Sequence, residues 1–330
     1  PVRPDIGTFL RRPTLEALTG YLGDTLGTRH NPAPETGKVE AGNKTRSTWE
    51  LMELRRGGPN GPVVITINHP FFYYQMANCF APGTTIANLR IPDHQSVEAQ
   101  RHLGFSEICM SAARAVEEVY GRRTLVLLGL CVNGHVALQV AQQLKEIGAD
   151  VAGIAMIDTW SPRSSDHQSR IANAVRRWTI RGRRWMHFGR HWRKGTLSSR
   201  DLLAKNKLGE RLIGKLLDTG NVAAEILLLE TITNHLVERS NNFVFKPYDG
   251  TAILFKTEAN STHAMEKAFG WGGILNDDCP VYAVNGWHDD VLVGWDRDKA
   301  ARIIEKRILD SHGTDRETSD IQRFRKRSAE

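Results

Sequence analysis

Short apolar runs alternate with longer amphipathic segments through the middle of the chain. The pattern predicts a buried strand in "TLVLLGLC" (124–131), a helix in "NGHVALQVAQQLKEIG" (133–148) and a second strand in "DVAGIAMIDTW" (150–160). Uninterrupted apolar runs are typical of strands that are buried on both faces. Strands that alternate with helices of this length predict right-handed crossovers and therefore a parallel sheet.

The same pattern continues on both sides of this unit. Further strands and helices are predicted in "WELMELRRGG" (49–58), "PVVITINH" (62–69), "TTIANLRI" (84–91), "SEICMSAARAVEEVYG" (106–121), "GTAILFKTEAN" (250–260), "CPVYAVNGWH" (279–288) and "DRDKAARIIEKRILDSH" (296–312). Between them lies a long stretch of helical pattern without strands. The sequence therefore predicts an α/β core over 47–162 and 242–314, with a helical lid inserted at 163–241.

The two ends of the chain differ from this core. Residues 1–24 contain one short amphipathic helix, and residues 25–46 are rich in Pro, Gly and Thr, which is typical of a linker. Residues 315–330 form a charged tail. The chain opens on "PVRPD", without an initiator methionine or a signal-peptide pattern, which indicates a piece of a longer polypeptide.

Composition excludes several classes of protein. Hydrophobic residues make up 40% and charged residues 25% of the chain, which is ordinary for a globular protein. No apolar run is long enough to predict a membrane-spanning helix. The four cysteines form no CxxC pair and no Cys/His metal spacing. We therefore expect free thiols in a reducing, cytoplasmic setting, and neither a metal site nor a membrane partner.

The net charge of +7 is concentrated in one segment. Residues 163–195 hold ten basic residues and one acidic residue, whereas the rest of the chain holds 34 basic and 36 acidic residues. A nearly neutral body argues against general nucleic-acid binding, which needs a broad basic face. The segment also repeats Trp178, Trp185 and Trp192 at seven-residue intervals. Either these tryptophans pack on the sheet beneath a solvated basic face, or the arginines beside them bind an anionic partner.

Three polar residues follow three of the predicted strands. They are Cys131, Asp158 and His288. The carboxyl ends of parallel strands form the functional crevice of an open α/β sheet, so we expect these side chains to meet there. A thiol is mostly protonated at neutral pH; a histidine can accept its proton, and a carboxylate can orient that histidine. Taken singly, Cys131 also fits a buried core cysteine, Asp158 a turn residue and His288 a loop histidine. Together, the three predict a nucleophile–acid–base triad.

The segments around the first two of these residues carry a family resemblance. "GLCVNGHVALQVAQQL", with "MIDTWSP" placing Asp158 27 residues beyond Cys131, resembles the type I thioesterase domains that terminate nonribosomal peptide and polyketide synthetases. Those domains read G-[YW]-S-x-G-G, then a helix, then a strand ending in L-D-S. The resemblance covers about 47–162 and 245–311, including the His-Pro turn in "PVVITINHP". It implies an α/β-hydrolase fold: a mostly parallel sheet flanked by helices, with a helical lid insertion.

The resemblance also implies roles for residues on the elbow and the His-Pro turn. Cys131 would be the nucleophile in place of serine, and the backbone N–H groups of Val132 and Phe71 would form the oxyanion hole. Asn133 stands where the family has a glycine. Because asparagine tolerates a left-handed backbone better than most residues, we expect the tight elbow to persist. "HPFFYY" replaces a glycine-rich oxyanion loop.

Other implied site residues leave alternatives open. His288 would be the base and Asp158 the acid, with Glu258 as the alternative acid. Phe72 and Tyr73 would line the site and exclude water from the acyl intermediate, or would pack in the core. Four arginines of the basic segment would contact the substrate or a carrier domain: Arg176, Arg177, Arg183 and Arg184.

The resemblance further implies an activity and its partners. Such a domain takes a peptidyl chain from the phosphopantetheine thioester of an upstream peptidyl carrier domain and needs no cofactor of its own. Residues 1–24 are similar to the last helix of such a carrier domain. We expect a monomeric domain that moves the chain onto Cys131 and releases it by intramolecular attack. Cysteine-type members are associated with four-membered β-lactam and β-lactone rings. The alternatives are an ordinary hydrolytic or macrocyclising thioesterase, and a degenerate hydrolase fold that only docks a carrier domain.

Overall fold

A computed structural model describes residues 48–162, 220–257, 268–284 and 296–312, together with residues 186, 189, 190, 192 and 193. For Phe71 and residues 220–227 it describes the backbone alone. The predicted carrier-type helix, linker and tail, and most of the predicted lid, lie outside the described residues. The domain boundaries therefore stay predictions.

The described residues form one seven-stranded sheet in the order β1-β3-β2-β4-β5-β6-β7. The strands are β1 (Glu50–Arg55), β2 (Val63–Ile67), β3 (Thr85–Arg90), β4 (Leu125–Leu130), β5 (Val151–Ile157), β6 (Thr251–Thr257) and β7 (Val281–Val284). The edge strand β1 runs antiparallel to β3, and all other pairs are parallel. This confirms the mostly parallel sheet that the sequence predicts.

Helices cover both faces of this sheet. Those in the described part are α1 (Pro70–Ala77), α2 (His94–Ala99), α3 (Phe105–Tyr120), α4 (Val132–Glu146), α5 (Gly220–Asn241) and α6 (Arg297–Ile304), which continues as a π-helical turn over Glu305–Leu309. None of the helices in these ranges combines the length and the apolar character needed to cross a membrane.

The core consists of two apolar layers separated by the sheet. Leu125 and Leu127 of β4 belong to the layer formed with α3, α4 and α5, whereas Val126 and Leu128 belong to the layer formed with α1 and α6. Successive side chains of a strand point to opposite faces, so a strand covered on both faces must be apolar throughout. Burial of this kind is the main favourable contribution to folding, at roughly 25 cal/mol for each Å² of apolar surface removed from water.

Two helices were not predicted from the sequence. α1 begins at Pro70, where a proline ring fits the first turn of a helix, and its mixed apolar and aromatic sequence gives no clear helical period. The six-residue α2 begins after Asp93, whose side chain accepts a hydrogen bond from the Ser96 N–H at 2.7 Å. α1 follows β2 directly, so it brings the His-Pro turn to the carboxyl edge of the sheet, beside the end of β4.

Candidate active site

Cys131 occupies a sharp turn between β4 and α4. Its backbone angles are φ 56° and ψ −130°, a combination that non-glycine residues rarely adopt. Its N–H donates to the Ile157 carbonyl at 2.9 Å, and its own carbonyl accepts from the Gly134 N–H at 2.9 Å. A strained strand-to-helix turn of this kind is what exposes the nucleophile of α/β-hydrolases at the top of the sheet. The structure thus has the elbow that the sequence predicts.

Two glycines make room for this turn. A Cβ atom added to Gly129 would lie 2.2 Å from the Asn133 carbonyl oxygen, and one added to Gly134 would lie 2.1 Å from Oγ1 of Thr159. Both distances are far below any normal van der Waals contact. The helix can therefore lie this close to the ends of β4 and β5 only because both positions lack a side chain.

Asn133 does not have the left-handed backbone that we expected. It lies inside α4 and is absent from the residues with positive φ; the residue that takes positive φ is Cys131 itself. The elbow therefore needs no backbone freedom at position 133. The Asn133 side chain is buried, with 2% of its surface exposed, and its Oδ1 accepts a hydrogen bond from Nδ2 of Asn68 at 2.8 Å.

Asp158 lies beside the elbow at the same edge of the sheet. It directly follows Ile157, which pairs with Leu130, the residue before Cys131. Its Oδ1 accepts from the Thr257 N–H at 2.8 Å and its Oδ2 accepts from the Thr257 hydroxyl at 2.5 Å. With only 1% of its surface exposed and φ at 46°, this carboxylate is fixed by the end of β6. Hydrogen bonds to both oxygens fix the orientation of this carboxyl group, as a group that orients a histidine requires.

The other two members of the predicted acid–base set, His288 and Glu258, lie outside the described residues. The last described residue of β7, Val284, pairs with Thr257, the residue that holds Asp158. The described part of β7 therefore ends next to the strand end that holds Asp158, four residues before His288 in the sequence. The geometry of the triad stays a prediction, as does the choice between the two acids.

The His-Pro turn places helix α1 opposite the elbow. Asn68 and His69 have φ values of 49° and 47°, and two consecutive left-handed residues turn the chain sharply out of β2. Phe71 is the second residue of α1, and Val132 is the first residue of α4. The first N–H groups of a helix have no intrahelical acceptor and carry a partial positive charge, so both residues are suited to binding an oxyanion. Their role as the oxyanion hole stays a prediction.

No model of a known protein family matches the chain. Enterobactin synthase component F of Escherichia coli strain K12 is 24% identical over 259 residues, which cover 77% of this chain and 18% of that protein. Its counterpart in Escherichia coli O157:H7 is 24% identical over 260 residues, with the same coverage. The chain thus spans about a fifth of the length of the curated relatives it matches.

Solved structures with a similar fold include thioesterase domains. The NocB thioesterase domain from the nocardicin cluster has a TM-score of 0.52 and 16% identity over 79% of this chain and 98% of that one. The Vlm2 thioesterase domain has a TM-score of 0.50 and 17% identity over 79% and 98% of the two chains. AB3403, a four-domain nonribosomal peptide synthetase, has a TM-score of 0.54 and 19% identity over 78% and 20%. This chain has the α/β-hydrolase fold that they share.

Two aromatic residues after the His-Pro turn, Phe72 and Tyr73, pack into the core of this fold. Tyr73 has no exposed surface, and the nearly buried Phe72 contacts it edge to face with ring centroids 4.7 Å apart. Both rings belong to the apolar layer shared with α6. Of the two expectations for these residues, the burial of Tyr73 favours packing over contact with a substrate or a carrier domain. Burial also raises the pKa of the Tyr73 hydroxyl far above its usual value.

The basic, tryptophan-containing segment lies almost entirely outside the described residues. Arg176, Arg177, Arg183 and Arg184 all fall there. Trp192 is helical, and 49% of its surface is exposed. About half of this residue is therefore buried, which is a smaller fraction than we expect for a tryptophan that packs fully on the sheet.

Sequence reasoning missed several polar residues that shape the site. Thr159 donates from Oγ1 to the Cys131 carbonyl at 3.0 Å and so holds the elbow from the β5 side. Thr257 holds Asp158, and Asn68 bonds to Asn133. Each of these residues lies at or just beyond the end of a buried strand, where a polar residue is the one sequence signal that could have identified it.

A buried histidine forms hydrogen bonds close to the elbow and to the segment after Asp158. His135 lies one helical turn after Cys131; its Nδ1 is 3.0 Å from Oγ of Ser240, and its Nε2 donates to the Trp160 carbonyl at 2.7 Å. It thereby joins α4 to α5 and to the segment that follows Asp158. Burial lowers the pKa of His135 from 6.5 to about 4, although the bond to Trp160 partly opposes this shift.

Side chains that could ligate a metal do not cluster in the described ranges. Among the residues they contain, no three His, Cys, Asp or Glu side chains are grouped so that they could hold a metal ion. All four cysteines are free thiols, as the sequence predicts.

Proposed function

We propose that this chain is the thioesterase domain of a nonribosomal peptide synthetase and that Cys131 is its nucleophile. The observation that carries the proposal is the strained backbone of Cys131, which lies on a strand-to-helix turn directly beside the buried carboxylate of Asp158. The similarity to enterobactin synthase component F and to thioesterase domains of known structure supports it.

The first step transfers the acyl chain between two sulfur atoms. His288 accepts the thiol proton of Cys131, and the sulfur attacks the thioester carbonyl carbon of the peptidyl chain on the carrier. The N–H groups of Val132 and Phe71 stabilise the negative oxygen of the tetrahedral intermediate. Collapse of the intermediate breaks the bond to the phosphopantetheine sulfur, which leaves with the proton held by His288. Asp158 orients His288 and stabilises its positive charge, and Glu258 is the alternative acid.

The second step releases the product. The acyl group stays a thioester on Cys131, so it keeps the reactivity that a serine oxoester would partly lose. A nucleophile on the peptidyl chain itself attacks the carbonyl, loses its proton to His288 and expels the Cys131 sulfur, which closes a ring. Four-membered β-lactam or β-lactone closure is the case in which a retained thioester matters most, because that product is strained. Attack by water, or by a more distant nucleophile, gives the hydrolytic or macrocyclising alternative.

The third candidate, a hydrolase fold that only docks a carrier domain, was suggested by the altered elbow sequence. The strained turn at Cys131, with Gly129 and Gly134 packed closely around it, favours a catalytic role instead. In the catalytic proposal the partner is the upstream peptidyl carrier domain, which brings the phosphopantetheine. The domain itself needs no cofactor, acts as a monomer and works in the cytoplasm, where its thiols stay reduced.

The arginines at 176, 177, 183 and 184 fit this scheme as contacts for the carrier domain or an anionic substrate group. Guanidinium groups pair with phosphate and carboxylate through two hydrogen bonds, which suits both partners. The described residues do not include these four, so this role rests on the charge pattern of the sequence alone.

Intact-protein mass spectrometry tests the proposal. The chain is incubated with an acyl-pantetheine thioester, and we expect a covalent adduct with the mass of the acyl group on the wild type and none on Cys131→Ala. Cys79→Ala is the matched control, because Cys79 is also a partly exposed free thiol and follows the C-terminal end of α1, whereas the His-Pro turn is at the other end of that helix; this variant keeps the adduct. An adduct that persists in Cys131→Ala, or a wild type that never acylates, contradicts the proposal.

Product analysis then separates the modes of release. Ring closure gives a product lighter than the free acid by one water. For Cys131→Ser we expect an acyl-enzyme that hydrolyses rather than closes a strained ring, because the oxoester is less activated. Equal ring formation by the serine variant would contradict the reason given for the cysteine.

A further inference from the structure

The His-Pro turn and the elbow are joined by a hydrogen bond between two buried amides. Nδ2 of Asn68 donates to Oδ1 of Asn133 at 2.8 Å, across 65 positions of sequence. Asn68 has 1% and Asn133 2% of its surface exposed, so water does not compete for this bond. We refer to this pair below as the asparagine bridge.

The Asn68 end of the bridge is fixed by three other bonds. Its N–H donates to the Leu89 carbonyl at 2.8 Å, its Oδ1 accepts from the Ile91 N–H at 3.1 Å, and its carbonyl accepts from Nδ2 of Asn88 at 2.8 Å. These partners all belong to β3 or the residue just after it. Asn68 is therefore held on the side of β3, and the Nδ2 group that remains reaches over to the elbow.

The Asn133 end is fixed by the helix that carries it. Asn133 is the second residue of α4, and its carbonyl oxygen is the atom that packs against Gly129 of β4. It is two residues from Cys131 and one from Val132, whose N–H is a predicted oxyanion donor. Movement of its side chain thus requires movement of the elbow, or rotation away from Asn68.

The bridge connects the two segments that carry the predicted oxyanion donors. Phe71, the other predicted donor, is three residues from Asn68, and the intervening His69 is held at φ 47°. Left-handed backbone in non-glycine residues persists only where the surroundings enforce it. Donors must lie about 2.7–3.1 Å from the developing oxyanion, and a displacement of about 1 Å costs on the order of 100-fold in rate.

We propose that the asparagine bridge positions the His-Pro turn against the elbow, and so sets the separation of the two oxyanion donors. Asn68 and Asn133 are positioning residues in this proposal, since neither touches the reacting atoms. The inference rests on the proposed function, because the donors matter only if Cys131 is acylated. It also gives a role to the replacement of an elbow glycine by Asn133: a glycine has no side chain that could accept the bond from Asn68.

The test compares two reactions of the same thiol. Acylation by an acyl-pantetheine thioester passes through an oxyanion, whereas alkylation of Cys131 by iodoacetamide does not; both rates are followed by mass spectrometry of the peptide that contains Cys131. For Asn133→Ala we expect acylation to fall about 10- to 100-fold, while alkylation changes by less than about 2-fold. Alanine is the best helix former, so α4 should persist in this variant.

A second variant and a control make the outcome specific. Asn68→Gly removes the other side-chain amide, and glycine can still adopt the φ of 49° at this position. Because the bridge is already absent in this variant, we expect the additional substitution Asn133→Ala to cause no further loss of acylation rate. Gln143→Ala is the matched control: this buried glutamine lies on the same helix and donates to the Ser106 carbonyl at 2.8 Å. It is about 15 Å from Asn133 along the axis, so acylation should be unchanged.

Four results would overturn the inference, and they are distinguishable. A wild type that is never acylated refutes the proposed function and the inference with it. A wild type that is acylated, with Asn133→Ala acylated equally fast, refutes the inference alone. Equal losses of acylation and alkylation in Asn133→Ala, or an equal loss of acylation in Gln143→Ala, would show that the bridge has a general structural role only.

Discussion

Acidification should destabilise this domain through one buried histidine. His135 has a pKa of about 4 in the folded chain, compared with 6.5 for an unperturbed histidine. Its ring contacts those of Phe245 and Trp271 edge to face, with centroids 5.5 Å from each, and Nε2 must keep its proton because the Trp160 carbonyl can only accept. A second proton on Nδ1 would place a positive charge in this apolar setting.

The sign and size of the effect follow from these two pKa values. Above pH 6.5 the histidine is neutral in both the folded and the unfolded state, and its contribution is constant. As the pH falls below 6.5, the unfolded chain binds a proton that the folded chain does not, so the free energy of unfolding falls until the pH reaches about 4. At about 1.4 kcal/mol for each pH unit, the loss is about 3 kcal/mol in total.

Urea denaturation as a function of pH measures this loss. His235 and the carboxylates also titrate, so the wild type is compared with His135→Gln, which retains a polar side chain but does not titrate. We expect the wild type to lose about 2–3 kcal/mol more than the variant between about pH 7 and pH 4.5. Parallel curves for the two proteins would show that the folded chain accommodates the proton at His135, and would refute the reasoning.

Two further substitutions test the packing around the elbow. Gly134→Ala places a methyl group against Thr159 and should cost about 1–3 kcal/mol of stability in chemical denaturation; adding Thr159→Ala should recover part of it, and strictly additive losses would contradict the close contact. Tyr73→Phe removes a buried hydroxyl that lies beside the Leu130 main chain without a hydrogen bond of good geometry, so the stability measured by thermal denaturation should be unchanged or raised by up to about 1 kcal/mol. A loss of more than about 1 kcal/mol would show that the hydroxyl forms a stabilising hydrogen bond.

The strands of the core could be predicted because their signal is local. Leu125–Leu130 and Val151–Ile157 are apolar at every position, which follows from burial on both faces and requires no knowledge of their neighbours. Residues that directly follow parallel strands lie at one edge of the sheet, so Cys131 and Asp158 could be placed there from the sequence. Helix Pro70–Ala77 could not, because its apolar residues have no 3.6-residue period and "PFFYYQMA" fits a lining loop equally well.

The parts of the site that sequence reasoning missed depend on contacts between distant residues. The bond from Asn68 to Asn133 joins the residue just after β2 to the second residue of α4, and neither residue alone predicts the other. The error at Asn133 has a clear physical origin. The prediction assumes that the residue at this position needs backbone freedom, whereas Asn133 is helical and its side chain is accommodated by a buried site with Asn68 as its hydrogen-bond partner. Thr257 likewise holds Asp158 from a strand that begins 93 residues later along the chain.

The asparagine bridge also bears on how this chain and its relatives can change. A single substitution at either position would leave the other asparagine side chain buried without its partner, at a cost of about 1–3 kcal/mol, whereas a matched pair of substitutions would remove both ends of this bond. Positions 68 and 133 should therefore vary together across homologous sequences: a relative with glycine at the elbow position should lack asparagine before the His-Pro turn. The hydrogen bond would then be visible as covariation, in sequences whose structures no one has determined.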